Sequence, residues 1–362
     1  MTAPTIRHIG FLTPGNYRDE DPLDGLEDTL RLFALGEELG FDSAWVRQRH
    51  LEPGICSGAV FLAAAAQRTS RIALGTAVIQ MGYENPFRLA EDLSMADVLS
   101  RGRLNIGVSA STPLYLDLLG PHILGPGWEG RTFTHAPVAQ LVEHLRSAFL
   151  GEAGRRITSA AGSHRPRLRP HAAGLADRVW YGAGSLGSAR WAGENGLNLL
   201  LGSLTSGEGT DSLFEAQLAQ IRAFRDAAVS ALPPGMIAPA RIAPARIALG
   251  RVVLPIDGAA AETRRKYQDY VASRHARTLA PQGERRTLFG RDIVGTGAEI
   301  LEALRNDPVM REVGEFRLEL PYGFEWHEYA QILGDFIAHV APGLGWGAPA
   351  AGPSPRMAEP VP

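Results

Sequence analysis

The chain has 362 residues, 45% of them hydrophobic, and a formal net charge of −3. That is apolar material for one large core or two ordinary ones, and the charge balance gives no general attraction to nucleic acid or anionic lipid. Cys56 is the sole cysteine, which excludes an intramolecular disulfide and a cysteine-built zinc site. Lys266 is the only lysine among 36 basic residues, a bias in keeping with a GC-rich genome rather than a surface function. The opening MTAPTIRHIGFLTPGN lacks an apolar signal core and no uncharged run could span a bilayer, so a soluble, cytoplasmic protein is the expectation.

In chain order, β-like runs begin at Thr5, Asp42, Arg71, Arg103, Asp177, Leu197, Arg246 and Glu315. Between them, helical periodicity marks Leu26 to Leu39, Pro86 to Leu99, Val138 to Phe149, Phe214 to Val229 and Ala259 to Leu279. Gly40, Gly102 and Gly196 stand where helices should end before the next strand. Eight strand–helix alternations in one chain predict an α/β fold, a (β/α)8 TIM barrel; a doubly wound open sheet is the competitor. Thr112 to Glu129 and Gly151 to Ala176 read as Gly/Pro-rich excursions. The tandem Ile-Ala-Pro-Ala-Arg at Ile237 and Ile242 reads as a duplication in a loop. The barrel is expected over 1–346, followed by a Pro/Gly/Ala-rich, disordered tail over 347–362.

Chemistry on such a barrel belongs at the C-terminal ends of the strands. Strand 2 exits through Arg47, Arg49 and His50, strand 3 through QMGYENP, and strand 4 through Ser109 to Ser111. Strand 5 exits through GAGSLGSARWA, where Gly182, Gly184, Ser185, Gly187 and Ser188 precede a helix expected to begin near Ala189. Small residues let backbone N–H groups approach an anion, and the helix dipole favours one there. An ordinary serine N-cap explains the same letters equally well. His50 is either a general acid or base or a histidine bonded to a neighbour, and Arg49 beside it would disfavour the imidazolium. No second histidine lies at ligand spacing and the strand-end carboxylates do not cluster, so no metal is expected.

Taken together, these stretches resemble the bacterial luciferase-like flavin-dependent monooxygenases, from Thr5 to about Leu344. The resemblance rests on ELGFDSAWVRQRHL, on RIALGTAVIQMGYENPFRLAEDLSMADVLSRGRLNIGV, on VWYGAGSLGSARWAGENGL and on IVGTGAEILEAL, in that order. It implies a non-prolyl cis peptide near Ala77 and Val78 beneath the flavin ring. Ser185, Leu186 and Ser188, with Gly184, would receive the FMN phosphate. Ser109 falls on the reactive cysteine of the luciferases, Ala110 on a phosphate-contacting arginine, and His135 near another arginine for which Arg131 could substitute. The luciferases' histidine pair is Arg49-His50 here, which argues against light emission from an aldehyde. Cys56 aligns with an apolar position, implying a structural role. The helix between strands 3 and 4, with Arg88, Glu91 and Asp92, is read as scaffold fixing the strand ends and a dimer face.

The implied function is a two-component monooxygenase. Reduced FMN (FMNH2) from a separate NAD(P)H flavin reductase reacts with O2 to a C4a-hydroperoxyflavin, and one oxygen atom enters a small organic substrate. His50 would move a proton, Arg49 would meet an anionic substrate or the flavin peroxide, and His275 to Arg291, after strand 7, would form a lid. The implied assembly is a homodimer, with no nucleic acid and no membrane as partner. An F420-dependent hydride-transfer enzyme is the alternative, and a catalytically silent flavin-binding relative the third reading.

Overall fold

The computed structural model describes residues 6–147, 149–231 and 245–347. The repeat at Ile237 and Ile242 falls largely outside these residues, as does the tail from 348 onward. Eight strands of one parallel sheet make the barrel: β1 (His8–Thr13), β2 (Ser43–Val46), β3 (Ala73–Gln80), β4 (Leu104–Ser109), β5 (Val179–Gly182), β6 (Asn198–Leu201), β7 (Ile247–Pro255) and β8 (Glu315–Glu319), with Ile293–Gly295 pairing parallel along the end of β7. Each pairs with the next, and β8 pairs with β1, so the barrel closes. The helices are α1 (Pro22–Glu38), α2 (Gly58–Ala66), α3 (Pro86–Leu99), α4 (Leu116–Ile123), α5 (Ala136–Arg146), α6 (Leu186–Glu194), α7 (Leu213–Ser230), α8 (Ala261–His275), α9 (Gly297–Asn306) and α10 (Trp326–Asp335).

All eight expected strands are present, and Gly40, Gly102 and Gly196 adopt the positive φ of helix ends. The helix expected to reach Phe149 stops at Arg146, where Ser147 turns extended. The one expected to reach Leu279 becomes a tighter turn after His275. The excursion after β4 holds α4, and the one before β5 holds a hairpin pairing Ile157–Ser159 with Gly162–His164.

Inside the barrel, Trp45 and Trp180 meet edge to face at 5.8 Å. Their indole N–H groups donate to Ser43 Oγ and Asn105 Oδ1. The Arg317 guanidinium lies 3.8 Å from the Trp45 ring centroid. Burial lowers its pKa to about 10, against the pull of Glu315 and Glu319. Room for Trp45 comes from Gly75, whose missing Cβ would lie 2.2 Å from the indole.

The polar residues of α3 divide differently from the expectation. Arg88 pairs with Glu91 and Asp92 along the helix's own exposed face, as neighbours at i+3 and i+4 do. The strand ends are fixed instead by Asp97, which accepts from Leu104 N–H and pairs with Arg178 at 2.7 Å. Arg103 helps by donating to the carbonyls of Ala66, Thr69, Ile72 and Ser100. Val60 on α2 and Met95, Val98 and Leu99 on α3 leave apolar side chains exposed.

Candidate active site

The floor of the C-terminal face is built at β3. Between Thr76 and Ile79 the register against β4 shifts, and the Ala77–Val78 peptide bond within that irregularity is cis. Both side chains pack on the barrel-interior cluster of Leu12, Trp45, Trp180, Leu200 and Ala248. Thr76 Oγ1 donates to Gly107 O at 3.0 Å and accepts from Gly107 N–H at 3.1 Å, tying the irregular stretch to β4. Gly182 at the end of β5 leaves room for Val78, whose Cγ1 would lie 2.9 Å from an added Cβ.

The three polar residues leaving β2 part company. Arg47 pairs with Glu319 at 2.9 Å. Arg49 lies 3.9 Å from Glu52 and borders a cavity of about 440 Å³ walled by Tyr17, Tyr322, Phe324 and Trp326. His50 turns toward Tyr83, ring on ring at 5.5 Å and 87°, and its Nε2 is buried with no hydrogen-bond partner. Cys56, in the same connection, is exposed, which corrects the expected structural role; the neighbouring Ile55 takes the buried position.

At the exit of β4, Ser109 is buried and Ala110 N–H donates to the Tyr181 hydroxyl at 3.2 Å. Burial raises the Tyr181 pKa to about 12. His135 stacks on Trp191 at 4.4 Å and approaches Tyr181, and burial lowers its pKa. Arg131 donates to Leu124 O within its own excursion.

The turn after β5 starts its helix earlier than expected. Ser185 is the N-cap and Ser188 lies inside the first turn, because the two serines form a reciprocal box: Ser188 N–H to Ser185 Oγ at 3.1 Å, Ser185 N–H to Ser188 Oγ at 3.0 Å. Leu186 N–H donates to the carboxylate of Glu208 at 2.8 Å. An added Cβ at Gly184 or Gly187 would meet nothing within 4 Å, so the space in front of the turn is open. The expected lid is anchored here: Thr287–Phe289 pairs antiparallel with Leu204–Ser206, and Ser206 N–H donates to Gly184 O at 2.9 Å.

These residues fit a flavin phosphate: an anionic oxygen, that of Glu208, already sits on a first-turn N–H, and Gly184 and Gly187 place no side chain of their own in the open space before the turn. His50 adds a buried nitrogen with a free bonding position at the same end of the barrel. Sequence reasoning missed Glu208, the Arg47–Glu319 pair and the packing of Tyr83 against His50. Glu315, Arg317 and Glu319 at alternate positions of one strand were a legible sign of charges facing the barrel interior.

A closed parallel barrel with helices between its strands defines the class as a (β/α)8 protein, whose C-terminal strand ends are where such barrels carry their sites. The family model described as luciferase-like monooxygenase matches residues 7–309, and the chain belongs to that family. Limonene 1,2-monooxygenase of Rhodococcus erythropolis is 39% identical over 100 residues, covering 27% of this chain and 26% of that one. The 4-hydroxyprotoasukamycin monooxygenase of Streptomyces nodosus subsp. asukaensis is 37% identical over 113 residues, 30% of either chain. The matches thus span less than a third of the length of these two relatives.

Among solved structures, monooxygenase RslO1 from Streptomyces bottropensis superposes with a TM-score of 0.66 at 21% identity, over 92% of this chain and 99% of that one. The oxygenating constituent of 3,6-diketocamphane monooxygenase of Pseudomonas putida, in complex with FMN, gives 0.63 at 16%, over 94% and 98%. An F420-dependent secondary alcohol dehydrogenase gives 0.58 at 17%, over 94% and 99%. At these identities the likeness is one of fold.

Proposed function

We propose that the protein is the oxygenase of a two-component system, which takes reduced FMN from a separate flavin reductase and uses O2 to place one oxygen atom in a small organic substrate. The observation that carries this reading is the Ala77–Val78 floor and the open Gly184–Ser188 turn on one face of a luciferase-like barrel. When bound, reduced flavin supplies the electrons and the oxygen activation. The chain's own part is to bind, orient and seal. Gly184 and the first-turn N–H groups of Leu186 and Gly187 hold the phosphate, the hydroxyls of Ser185 and Ser188 turning their protons toward it. Ala77 and Val78 support the ring, and Ser109 borders it.

His50 holds or passes a proton at Nε2, the atom without a protein partner. Arg49, at the edge of the aromatic-walled cavity, orients the substrate. The segment ending in Thr287–Phe289 covers the face and excludes water. The reading carries with it a cytoplasmic homodimer joined through the exposed apolar side chains of α2 and α3.

Hydride transfer with F420 is the second reading, since a barrel of similar fold is described with that cofactor. The test is a titration with oxidised FMN, with reduced FMN under anaerobic conditions, and with F420, each followed by absorbance. Preferential binding of reduced FMN and substrate oxidation that requires O2 are the expected results. Binding of F420 alone would overturn the oxygenase reading.

A further inference from the structure

The Glu208 carboxylate occupies the one first-turn N–H of α6 that a cofactor phosphate would need first. Ser188 N–H is already taken by Ser185 Oγ, which leaves Leu186 and Gly187 to face an incoming anion. A single N–H cannot serve two anions, and a phosphate beside an undisplaced carboxylate would meet like-charge repulsion. From this geometry we propose that Glu208 is an internal competitor for the phosphate subsite: its carboxylate fills the anion position at Leu186 N–H and must leave for the cofactor to bind. The inference rests on the reading of the Gly184–Ser188 turn as the phosphate subsite.

The local structure lets the side chain leave without disturbing the backbone. Glu208 is exposed and stands in the sequence Gly207-Glu208-Gly209. On one side, Ser206 N–H donates to Gly184 O at 2.9 Å and Gly207 N–H to Arg286 O at 2.8 Å, which pins the strand. Gly207 is tightly surrounded, since a Cβ there would lie 3.0 Å from both Arg286 O and Thr210 O. On the other side Gly209 has a φ of +77° with open space around it. The chain is therefore held up to residue 207, and the exchange at Leu186 N–H needs only a rotation of the Glu208 side chain into solvent. For a protein that must release its flavin after each turnover, such a competitor keeps phosphate binding reversible, because part of the binding free energy goes to displacing the carboxylate.

The experiment is an anaerobic titration of the full chain with reduced FMN and with reduced riboflavin, which lacks the phosphate, for the wild type, Glu208→Ala and Glu208→Gln. A melting curve confirms that each variant is folded. Glu208→Ala should bind FMN about tenfold more tightly than the wild type, the scale of one charge-assisted hydrogen bond no longer having to be broken. Glu208→Gln, which keeps an acceptor but loses the charge, should fall between the two, and riboflavin affinity should not move. If the wild type prefers FMN over riboflavin but Glu208→Ala binds FMN no more tightly, Glu208 is not a competitor and the phosphate reading stands. If neither the wild type nor Glu208→Ala prefers FMN over riboflavin, both inferences fall together.

Discussion

Gly107→Ala tests the construction of the floor. A methyl at this position would lie 2.1 Å from the carbonyl oxygen of Thr76, 3.2 Å from its carbon and 3.0 Å from Leu200 Cδ1. The first two are backbone atoms, so no rotamer change relieves the contact, and β3 and β4 would have to separate by roughly 1 Å in a close-packed interior. Overpacking of this kind costs about 1–3 kcal/mol. The separation also breaks the two hydrogen bonds between Thr76 Oγ1 and Gly107, each worth about 0.5–1.5 kcal/mol. The sum is a loss of about 2–6 kcal/mol, a large share of the stability of an ordinary domain. Urea unfolding measures it, and Thr76→Val, which deletes the hydroxyl without adding an atom, should show about 1–3 kcal/mol of the same loss. Because the strained contact lies one residue before Ala77, FMN affinity should fall in Gly107→Ala as well. A Gly107→Ala protein within about 1 kcal/mol of the wild type would refute the packing argument.

Three further outcomes are expected. His50→Ala should cost no more stability than its edge-to-face contact with Tyr83, about 0.5–1.5 kcal/mol, since Nε2 has no hydrogen bond to lose, while turnover falls by about 10²–10⁴-fold; intact turnover would remove His50 from the proton chemistry. His8 is held down to about pH 3 by burial, with Arg246 and Arg317 adding to it, so an unfolded chain takes up a proton there that the folded one refuses. That contribution to stability is complete above about pH 6.5 and is lost as the pH falls toward 3; in His8→Gln the melting temperature should therefore decline less steeply across this window. If α2 and α3 form the dimer face, the double variant Val98→Asp, Leu99→Asp should sediment at half the mass of the wild type, and an unchanged mass would place the interface elsewhere.

The barrel was legible because its signals are local and repeated: each strand is a short apolar run, and most of the helices between carry a period. α2 escaped because GAVFLAAAA has no polar stripe to mark its period. The start of α6 was displaced because a capping box draws Ser188 into the helix, whereas the letters alone place both serines before it. Within the site, Ser185 and His50 were singled out by their places at the strand exits, and Ala77 and Val78 through resemblance. Glu208 was not, because its significance is a contact across 22 positions with a backbone N–H, which no local pattern encodes. The Arg47–Glu319 pair spans 272 positions and was hidden for the same reason.

Why Arg47, Arg49 and His50 take three different roles follows from where the strand ends. Trp45 faces the barrel interior, so two residues on Arg47 does too, and it meets Glu319, which shares the inward register of Glu315 and Arg317 on β8. Past the last ladder contact at Val46 the alternation no longer holds, and Arg49 and His50 turn to the cavity and to Tyr83. The result is electrostatic: the deepest guanidinium at the mouth is neutralised by its own carboxylate, so it offers no free charge to an anion. Attraction for one then falls to the Leu186 and Gly187 N–H groups, with Arg49 on the substrate side. Glu319→Gln would uncover Arg47. The cost in stability should stay below the about 3–5 kcal/mol of breaking a fully buried pair, because Arg47 retains 20% side-chain exposure. The freed guanidinium should also draw anions to the mouth. Inorganic phosphate should therefore raise the melting temperature of Glu319→Gln more than that of the wild type, and an equal rise in both would mean that Glu319 screens nothing.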